Sequence, residues 1–356
     1  MKILAGIVCC LVPLAAIGQT TPPDRRARVT AVALVYSKSY EINLAGLERA
    51  HPFDIHKYEK IAGQLLQDGI VGTRDFHEPG ELTREQLLLV HTPGFLKSLE
   101  DPKNVATYLE APIVGMLPPP LVEHGMLKSF RCASGGTILA CRLALKHGIA
   151  VNIGGGYHHA KPDRGEGFCV YADMPIAIRL LQRENALRRV LVVDLDVHQG
   201  NGTIVCCRND DSVFTFSMHE RDIYPIPKEK GDLDVELVGG TTDKTYLETL
   251  QRHLPGLFGR SRPDLVIFQA GCDPLAEDPL ANLSLTKAGI VERDAYVIDT
   301  CVRLGIPVAM VLGGGYSKEA WAVQYASIRR ILQTHRVLRQ EPDPSTKPGP
   351  KKFQGS

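Results

Sequence analysis

The fold of this chain is decided by the stretch Val190-Leu191-Val192-Val193-Asp194-Leu195-Asp196-Val197-His198-Gln199-Gly200-Asn201. Its apolar, β-branched beginning predicts a strand over 190–193 that is buried on both faces. Asp194, Asp196 and His198 follow at every second position, so their side chains share one face of an extended segment. Ligands bind at the carboxyl ends of parallel strands, and two carboxylates with an imidazole suit a divalent metal such as zinc. A strand end whose polar residues merely cap the next turn could have the same sequence, so the rest of the chain must decide between a metal site and a turn.

Length and composition are those of an ordinary globular protein. The chain has 356 residues, of which 44% are hydrophobic and 23% charged, enough for one large α/β domain. The net charge of +1 gives no global attraction to nucleic acid or to an anionic membrane. Nucleic acid is therefore not an expected partner.

The first residues resemble a secretory signal peptide. Lys2 precedes an apolar run over 3–17, with the small residues Ala16 and Gly18 near its end, and the run is too short to span a membrane. A secreted or periplasmic protein without a membrane span in its mature form is expected. The predicted organisation is a signal peptide over 1–18, a linker over 19–30, one folded domain over 31–336 and a disordered tail over 337–356.

The cysteines favour a cytoplasmic location rather than export. Two of the nine cysteines lie within 1–18, which leaves an odd number, and most of these lie in apolar runs. This pattern predicts buried thiols rather than a disulfide framework. A cytoplasmic protein is therefore the alternative.

Strands and helices alternate along the remaining chain. Apolar runs predict strands over 31–36, 150–153, 190–193, 213–218, 265–270 and 308–312. Helical spacing of apolar residues predicts helices over 57–67, 121–147, 173–182, 246–258, 287–304 and 318–333. This alternation predicts βαβ units and a parallel sheet. The proline-rich stretch over 102–120 is predicted to be irregular. Residues 105–120 and 221–231 are expected to influence substrate selectivity.

Three further predicted strands end in polar or glycine-rich residues. They lead into Gly154-Gly155-Gly156-Tyr157-His158-His159, Gly271-Cys272-Asp273 and Gly313-Gly314-Gly315-Tyr316. If one sheet aligns these strands, all four strand ends meet at its carboxyl edge. Asp196, His198 and Asp273 then supply the three protein ligands of a catalytic zinc, although Asp273 alone could be a turn or N-cap residue.

Acid–base chemistry is indicated by His158 and His159. Three glycines before them let the backbone approach a ligand closely, and an imidazole can accept and return a proton near neutral pH. Asp194 and Asn201 are available to orient the two rings. Tyr316 can present its hydroxyl to a developing oxyanion, or it can be a buried tyrosine bonded to the backbone.

Three more motifs complete the set. They are Asp163-Arg164-Gly165-Glu166-Gly167-Phe168, and the pair His51-Pro52-Phe53-Asp54 and Leu283-Ser284-Leu285-Thr286. Together the motifs resemble the zinc-dependent histone deacetylase family over roughly residues 32–335, and the last pair is similar to its class IV branch. The resemblance implies a single-domain arginase/deacetylase fold, an α/β structure in which helices flank a parallel sheet of about eight strands. It also implies hydrolytic removal of acyl groups from acyl-lysine in a protein or peptide.

The resemblance also assigns roles to individual residues. Zinc would bind Asp196, His198 and Asp273. His159 would act as general base and then as general acid, His158 would pair with Asp194, and Tyr316 would polarise the acyl carbonyl. Gly167, Phe168 and Gly314 would line the channel for the acyl-lysine. A structural potassium ion would lie near Asp194, Asp196, His198, Ser217 and Met218.

Asn201 stands where class I members carry an aspartate. A neutral partner is expected to orient His159 while stabilising its protonated form less. Class IV members are associated with removal of long fatty acyl groups, so long-chain deacylation is expected beside deacetylation.

Three alternatives stay open. The first is deacetylation of acylated small amines such as polyamines, and the second is a non-catalytic acyl-ligand binding protein. The third is an arginase-like hydrolase with two manganese ions. It is disfavoured because Gly200 and Asp273-Pro274-Leu275 lack the extra carboxylates that a second metal needs.

Overall fold

The computed structural model describes residues 31–339 except 45, 51 and 52. The predicted signal peptide over 1–18, the linker over 19–30 and tail residues 340–356 lie outside the described residues, as do His51 and Pro52 of the class IV motif. Within the described part of the chain, no helix is both long and apolar enough to cross a membrane.

Eight parallel strands form one sheet. They are β1 (Ala31–Val35), β2 (Phe76–His77), β3 (Gly148–Asn152), β4 (Val190–Asp194), β5 (Val213–Glu220), β6 (Leu233–Leu237), β7 (Leu265–Gln269) and β8 (Val308–Val311). Their order is β2-β1-β3-β8-β7-β4-β5-β6, and every neighbouring pair is parallel. Every residue of the central strands β3, β8, β7 and β4 is buried, because helices cover both faces of such a sheet. The expected α/β fold with a parallel sheet of about eight strands is confirmed.

Eleven α-helices are present among the described residues. They are α1 (Lys57–Gln67), α2 (Arg84–Leu87), α3 (Pro93–Ser98), α4 (Pro102–Tyr108), α5 (Pro119–Val122), α6 (Lys128–His147), α7 (Asp173–Arg183), α8 (Asn201–Cys207), α9 (Asp243–Ser261), α10 (Lys287–Leu304) and α11 (Ala320–Thr334). A π-helical turn, Glu123–Leu127, runs directly into α6.

The prediction of irregular structure over 102–120 is wrong in part. Helix α4 occupies its first third, because the Asp101 side chain caps the helix by accepting the Lys103 N–H at 3.0 Å. Pro102 stands at the first helical position, where its missing N–H leaves no internal bond unmade. A short 3-10 helix, Pro112–Met116, and α5 follow.

The chain after α11 returns to the first strand. Val337 pairs with Val32 in a parallel bridge, and the Val32 carbonyl accepts the Leu338 N–H at 2.8 Å. Residues 337 and 338 of the predicted tail therefore contact the first strand. All seven described cysteines are free thiols, and six of them are buried, as their apolar surroundings in the sequence predict.

His91 is a buried histidine between α2 and α3. Its Nε2 accepts the Ala172 N–H at 3.0 Å, and its ring packs 4.9 Å from Phe95 and 5.9 Å from Tyr171 between ring centres. Burial lowers the pKa of His91 from 6.5 to about 4, because the charged ring would lose its hydration. The fold therefore holds this ring neutral.

We expect His91 to make the fold less stable in acid. Between pH 6.5 and about 4 the unfolded chain binds a proton at His91 that the folded chain does not. The free energy of unfolding therefore decreases as the pH falls through this window. The loss is at most about 1.4 kcal/mol per pH unit. Urea unfolding of the wild type and of His91→Gln between pH 7 and 4.5 measures it. The variant should show the shallower pH dependence, and equal slopes would contradict this account.

Candidate active site

The four polar strand ends meet at one edge of the sheet. Strands β3, β8, β7 and β4 are consecutive neighbours, and their last residues are in register: Asn152 with Val311, Val311 with Gln269, and Gln269 with Asp194. The loops that begin after these residues therefore start side by side. The convergence expected from the sequence is present in the structure.

Asp196, His198 and Asp273 form a buried cluster in which one potential ligand atom from each residue lies within 4.8 Å of the others. The Nδ1 atom of His198 lies 3.3 Å from Oδ1 of Asp196 and 3.2 Å from Oδ2 of Asp273. Backbone N–H groups hold the other carboxylate oxygens, since Gly314 donates to Asp196 and Val197 to Asp273, both at 2.8 Å. The cluster is thus fixed by the strand ends themselves.

The donor set of this cluster fits a divalent cation. Two carboxylates and an imidazole are ligands that zinc accepts, and three protein ligands leave a position for substrate. Burial and the neighbouring charge of Asp196 raise the pKa of Asp273, because two buried carboxylates this close oppose each other's ionisation, and contact with His198 offsets the shift only in part. A bound cation would remove that conflict.

Arg293 ties the two loops that carry these carboxylates. The side chain is fully buried, and its Nη1 donates to the carbonyls of Leu195 at 3.0 Å and Gly271 at 2.8 Å. Its charge is balanced by Asp294, whose Oδ1 lies 2.7 Å from Nη2. One helix, α10, thereby sets the separation of the strand ends of β4 and β7.

His158 and His159 lie with ring centres 4.0 Å apart and have different partners. The Nδ1 atom of His158 lies 2.9 Å from Oδ2 of Asp194, and that of His159 lies 2.7 Å from Oδ1 of Asn201. These are the two groups that the sequence offers to orient the rings. Each ring is thereby held through its Nδ1 atom, while Nε2 of His158 lies 3.7 Å from Oδ1 of Asp196.

The pKa values of the two histidines move in opposite directions. Burial alone would lower the pKa of His158, but the charges of Asp194 and Asp196 outweigh it and raise that pKa to about 9. Burial and the positive charges of His158 and His198 lower the pKa of His159 well below 6.5. Of these two adjacent histidines, His158 is therefore the imidazolium at neutral pH and His159 is the neutral imidazole, which is the form that a general base needs.

Tyr316 follows the glycines after β8 and faces the same cluster. Its backbone N–H donates to Oδ2 of Asp278 at 2.7 Å, and its ring centre lies 6.2 Å from that of His198 and 5.8 Å from that of Phe168. Burial and the charges of Asp196 and Asp273 raise the pKa of Tyr316 well above 10, so the hydroxyl stays protonated. The side chain can donate a hydrogen bond to an oxygen in the site.

Gly167, Phe168 and Gly314 line a cavity of about 290 Å³ that His158, His159 and Tyr316 also line. Two of the glycines have no room for a side chain. A Cβ at Gly167 would lie 2.6 Å from Cδ2 of His159, and one at Gly314 would lie 2.2 Å from Oδ2 of Asp273. The three residues predicted to line the substrate channel thus border the reactive groups.

Comparison with known proteins decides the family. The family model of the histone deacetylase domain matches residues 51–332. The chain belongs to the histone deacetylase family. Histone deacetylase 2 of Arabidopsis thaliana is 37% identical over 306 residues, which are 85% of this chain and 79% of that protein. The acetoin utilization protein AcuC of Bacillus subtilis is 28% identical over 327 residues, 85% of this chain and 83% of AcuC.

A solved structure shows the same histone deacetylase fold. The crystal structure of the HDA15 HD domain superposes with a TM-score of 0.68 at 22% identity, and the match covers 85% of this chain and 90% of that domain. An uncharacterized protein of Picosynechococcus is 38% identical over 313 residues, 86% of this chain and 98% of that protein. The family supports a hydrolytic deacetylase in general terms.

Two residues of this histone deacetylase site cannot be assigned from the sequence. Glu166 accepts hydrogen bonds from Nδ2 of Asn201 at 2.9 Å and from the Tyr224 hydroxyl at 2.7 Å. The ring centre of Tyr224 lies 4.9 Å from that of His159. Glu166 lies inside a motif used for the resemblance and Tyr224 inside the loop 221–231, but neither position indicates a contact with the other.

Lys57 is a third residue of the site that the sequence does not reveal. It is fully buried, its Nζ donates to the Gly313 carbonyl at 2.9 Å, and it lies 4.3 Å from the ring centre of Phe53. Burial lowers the pKa of Lys57, although the charges of Asp273 and Asp196 oppose this shift. The sequence places Lys57 at the first residue of a helix, where a lysine normally faces solvent.

The residues expected near a structural potassium ion lie on two neighbouring strands and in the loop that follows one of them. Ser217 of β5 is in register with Asp194 of β4, and Met218 is buried beside it. Ser217 Oγ also lies 2.9 Å from Nδ1 of His219. The structure therefore places Ser217 and Met218 on the strand next to the one that leads into Asp196 and His198.

Proposed function

We propose that this protein is a zinc-dependent deacylase that hydrolyses the amide of an acylated lysine, with a structural potassium ion near Asp194 and Ser217. The observation that carries the proposal is the meeting of three kinds of group at one cavity. These are the buried cluster of Asp196, His198 and Asp273, the neutral His159 and the protonated Tyr316. Such a set suits amide hydrolysis, which needs an electrophile, a base and an oxyanion donor.

The chain's own residues divide the steps among them. Zinc held by Asp196, His198 and Asp273 would act as a Lewis acid toward the carbonyl and lower the pKa of water. His159 takes a proton from the attacking water at Nε2 and returns it to the leaving amine as the C–N bond breaks. The products are a carboxylic acid and a free amine.

Tyr316 and His158 stabilise the negative charge that develops during the reaction. Tyr316 donates a hydrogen bond to the oxyanion that forms at the acyl carbonyl. His158, whose pKa is raised to about 9, keeps a positive charge within the site while that negative charge develops.

The apolar lining of the cavity supports an acyl group longer than acetyl. Beyond the histidines the cavity is lined by Leu44, Val114, Met126 and Phe130, and its volume of about 290 Å³ exceeds what one methyl group fills. Apolar surface of this kind favours a hydrocarbon chain by roughly 25 cal/mol for each Å² removed from water. A preference for long acyl chains also agrees with membership of the class IV branch, and we include that membership in the proposal.

Acylated polyamines are the second candidate substrate. Glu48 and Glu110 line the same cavity as the apolar residues. Two carboxylates at one cavity favour a substrate whose amine portion carries further positive charges.

We expect the purified protein to release acyl groups from a panel of lysine peptides that carry acetyl, octanoyl, dodecanoyl and myristoyl groups. Turnover should be highest for the longer chains because their hydrocarbon fills the apolar cavity. A chelator should abolish turnover and one equivalent of zinc should restore it. Acylated spermidine in the same assay separates the two candidate amines, and metal analysis gives the number of ions per chain.

A matched pair of variants tests the cavity. Met126→Trp fills its apolar part, because Met126 is 5% exposed and lines the cavity, and it should reduce turnover of the long chains while sparing acetyl. Leu304→Trp introduces the same ring at a side chain that is 40% exposed at the end of α10, outside the cavity lining, and should alter neither. Turnover that a chelator leaves intact would contradict the proposal. Two manganese ions per chain would favour an arginase-like enzyme, and ligand binding without product would favour the non-catalytic alternative.

A further inference from the structure

Asn201 connects His159 to Glu166. Its Oδ1 accepts hydrogen bonds from Nδ1 of His159 at 2.7 Å and from the Gly202 N–H at 2.9 Å, and its Nδ2 donates to Oε1 of Glu166 at 2.9 Å. Asn201 is 2% exposed. A carboxamide has an acceptor at one end and a donor at the other, so its neighbours determine which end faces the histidine.

Glu166 is held as an ionised acceptor. The Tyr224 hydroxyl donates to its Oε1 at 2.7 Å, and Nζ of Lys161 lies 3.0 Å from its Oε2. Arg164 Nε lies 3.2 Å from the same Oε2. Burial alone would raise the pKa of Glu166, but the hydrogen bonds from Tyr224, Lys161 and Asn201 outweigh it and lower that pKa. An ionised carboxylate accepts hydrogen bonds and donates none.

We propose that Glu166 is a positioning residue that fixes, through Asn201, the tautomer of His159 with its proton on Nδ1. Because Glu166 only accepts, the Nδ2 end of the amide must face it, and Oδ1 must then face His159 and the Gly202 N–H, whose donation to the same oxygen favours this orientation as well. With its proton on Nδ1, His159 has the lone pair of Nε2 free for substrate chemistry. The inference rests on the proposed function for its consequence, since the tautomer matters to a general base.

The opposite orientation of the amide would disable the base. Nδ2 of Asn201 would then point at Nδ1 of His159, which would have to accept, and the neutral ring would carry its proton on Nε2. An aspartate at position 201 would accept at either oxygen and would need no second residue to orient it. Glu166 thus helps to set the orientation of the Asn201 amide, which an aspartate would not need.

The experiment is a double-mutant cycle on positions 166 and 201. Glu166→Gln should lower kcat about tenfold with little change in KM, the scale for a hydrogen-bonded partner that orients a reactive group. In the Asn201→Asp background the same substitution should leave kcat unchanged or raise it, because it removes a carboxylate from beside the new one. A merely structural role would lower kcat equally in both backgrounds, and such an outcome would overturn the proposal.

Two further variants guard the cycle against a folding defect. Tyr224→Phe keeps the ring beside His159 and removes one donor to Glu166, so it should lower kcat by a smaller factor and only when residue 201 is Asn. Asp163→Asn changes a carboxylate in the same segment that is 64% exposed and pairs with Arg164, and it should leave kcat unchanged. A Tyr224→Phe loss that persists in the Asn201→Asp background would count against the proposal.

Nitrogen-15 NMR of histidine-labelled protein reads the tautomer without turnover. The His159 resonances, assigned by their loss in His159→Gln, should show a protonated Nδ1 and an unprotonated Nε2 in the wild type. Glu166→Gln should add a fraction of the tautomer with its proton on Nε2, because only the Gly202 N–H then favours the native orientation of the Asn201 amide. A proton on Nε2 in the wild type would overturn the inference even if the enzyme turns over. A protein that shows the expected tautomer but hydrolyses no acyl-lysine would fail only the proposed function.

Discussion

Replacing His159 with alanine is expected to lower kcat for acyl-lysine hydrolysis about 10²–10⁴-fold, the range for losing a positioned general acid–base group. His159 is 3% exposed and neutral, and its Nδ1 is engaged by Asn201, so its Nε2 is the basic atom at the cavity. The same ring serves both proton transfers, which is why the loss should be large. Steady-state kinetics with the best peptide of the panel measure it.

The matched control for this variant is His124→Ala. His124 is exposed and lines a separate groove beside α5, so its removal should leave kcat unchanged. A hydroxamate should bind the His159→Ala protein about as tightly as the wild type if the metal cluster is intact. Retention of more than a tenth of the wild-type kcat in His159→Ala would exclude His159 as the base.

Replacing Tyr316 with phenylalanine is expected to lower kcat about 10²–10³-fold, the cost of one oxyanion donor. Phenylalanine keeps the ring contacts with Phe168 and His198, so the change isolates the hydroxyl. The backbone is also held, because Asp278 accepts the N–H groups of residues 316 and 317. The loss should appear in kcat and spare substrate affinity, because the hydroxyl contributes most when charge develops.

Tyr296→Phe is the control for the chemical change itself. Tyr296 is a half-buried residue of α10, away from the cavity lining, and its variant should have wild-type kinetics. Thermal unfolding of both variants checks that neither has lost its fold. A Tyr316→Phe enzyme within threefold of the wild type would remove Tyr316 from the oxyanion role.

The central strands could be predicted from the sequence almost to the residue because they are buried on both faces. Strand β4 ends at Asp194, one residue beyond the apolar run that predicts it. Edge strand β6 has a weaker signal, since Leu233, Val235 and Leu237 alternate with Asp234 and Glu236 over only five residues and form no apolar run. The sequence does not predict helix α8, because this helix begins at Asn201, inside the site, and is only seven residues long. Elements that face water or end quickly leave little pattern to detect.

Much of the candidate site was predictable because its residues lie where strands end. Asp196, His198 and Asp273 each follow a buried strand within a few residues, so a parallel sheet alone brings them together. The contact between Glu166 and Tyr224 spans 58 residues and joins two loops, and no periodicity encodes it. Lys57 was missed for another reason, because its charge is buried against a carbonyl and an aromatic ring rather than an acidic partner.

Phe168 shows where stability and substrate contact oppose each other. Its φ of 65° follows a φ of 53° at Gly167, and a left-handed backbone costs a residue with a side chain roughly 1–2 kcal/mol where it costs glycine almost nothing. Selection for heat resistance alone would therefore favour glycine or asparagine at this position. Either substitution would also delete the ring that faces Tyr316 across the channel. An engineer who wants a hardier form of this enzyme should leave residue 168 alone and look for stability elsewhere in the fold.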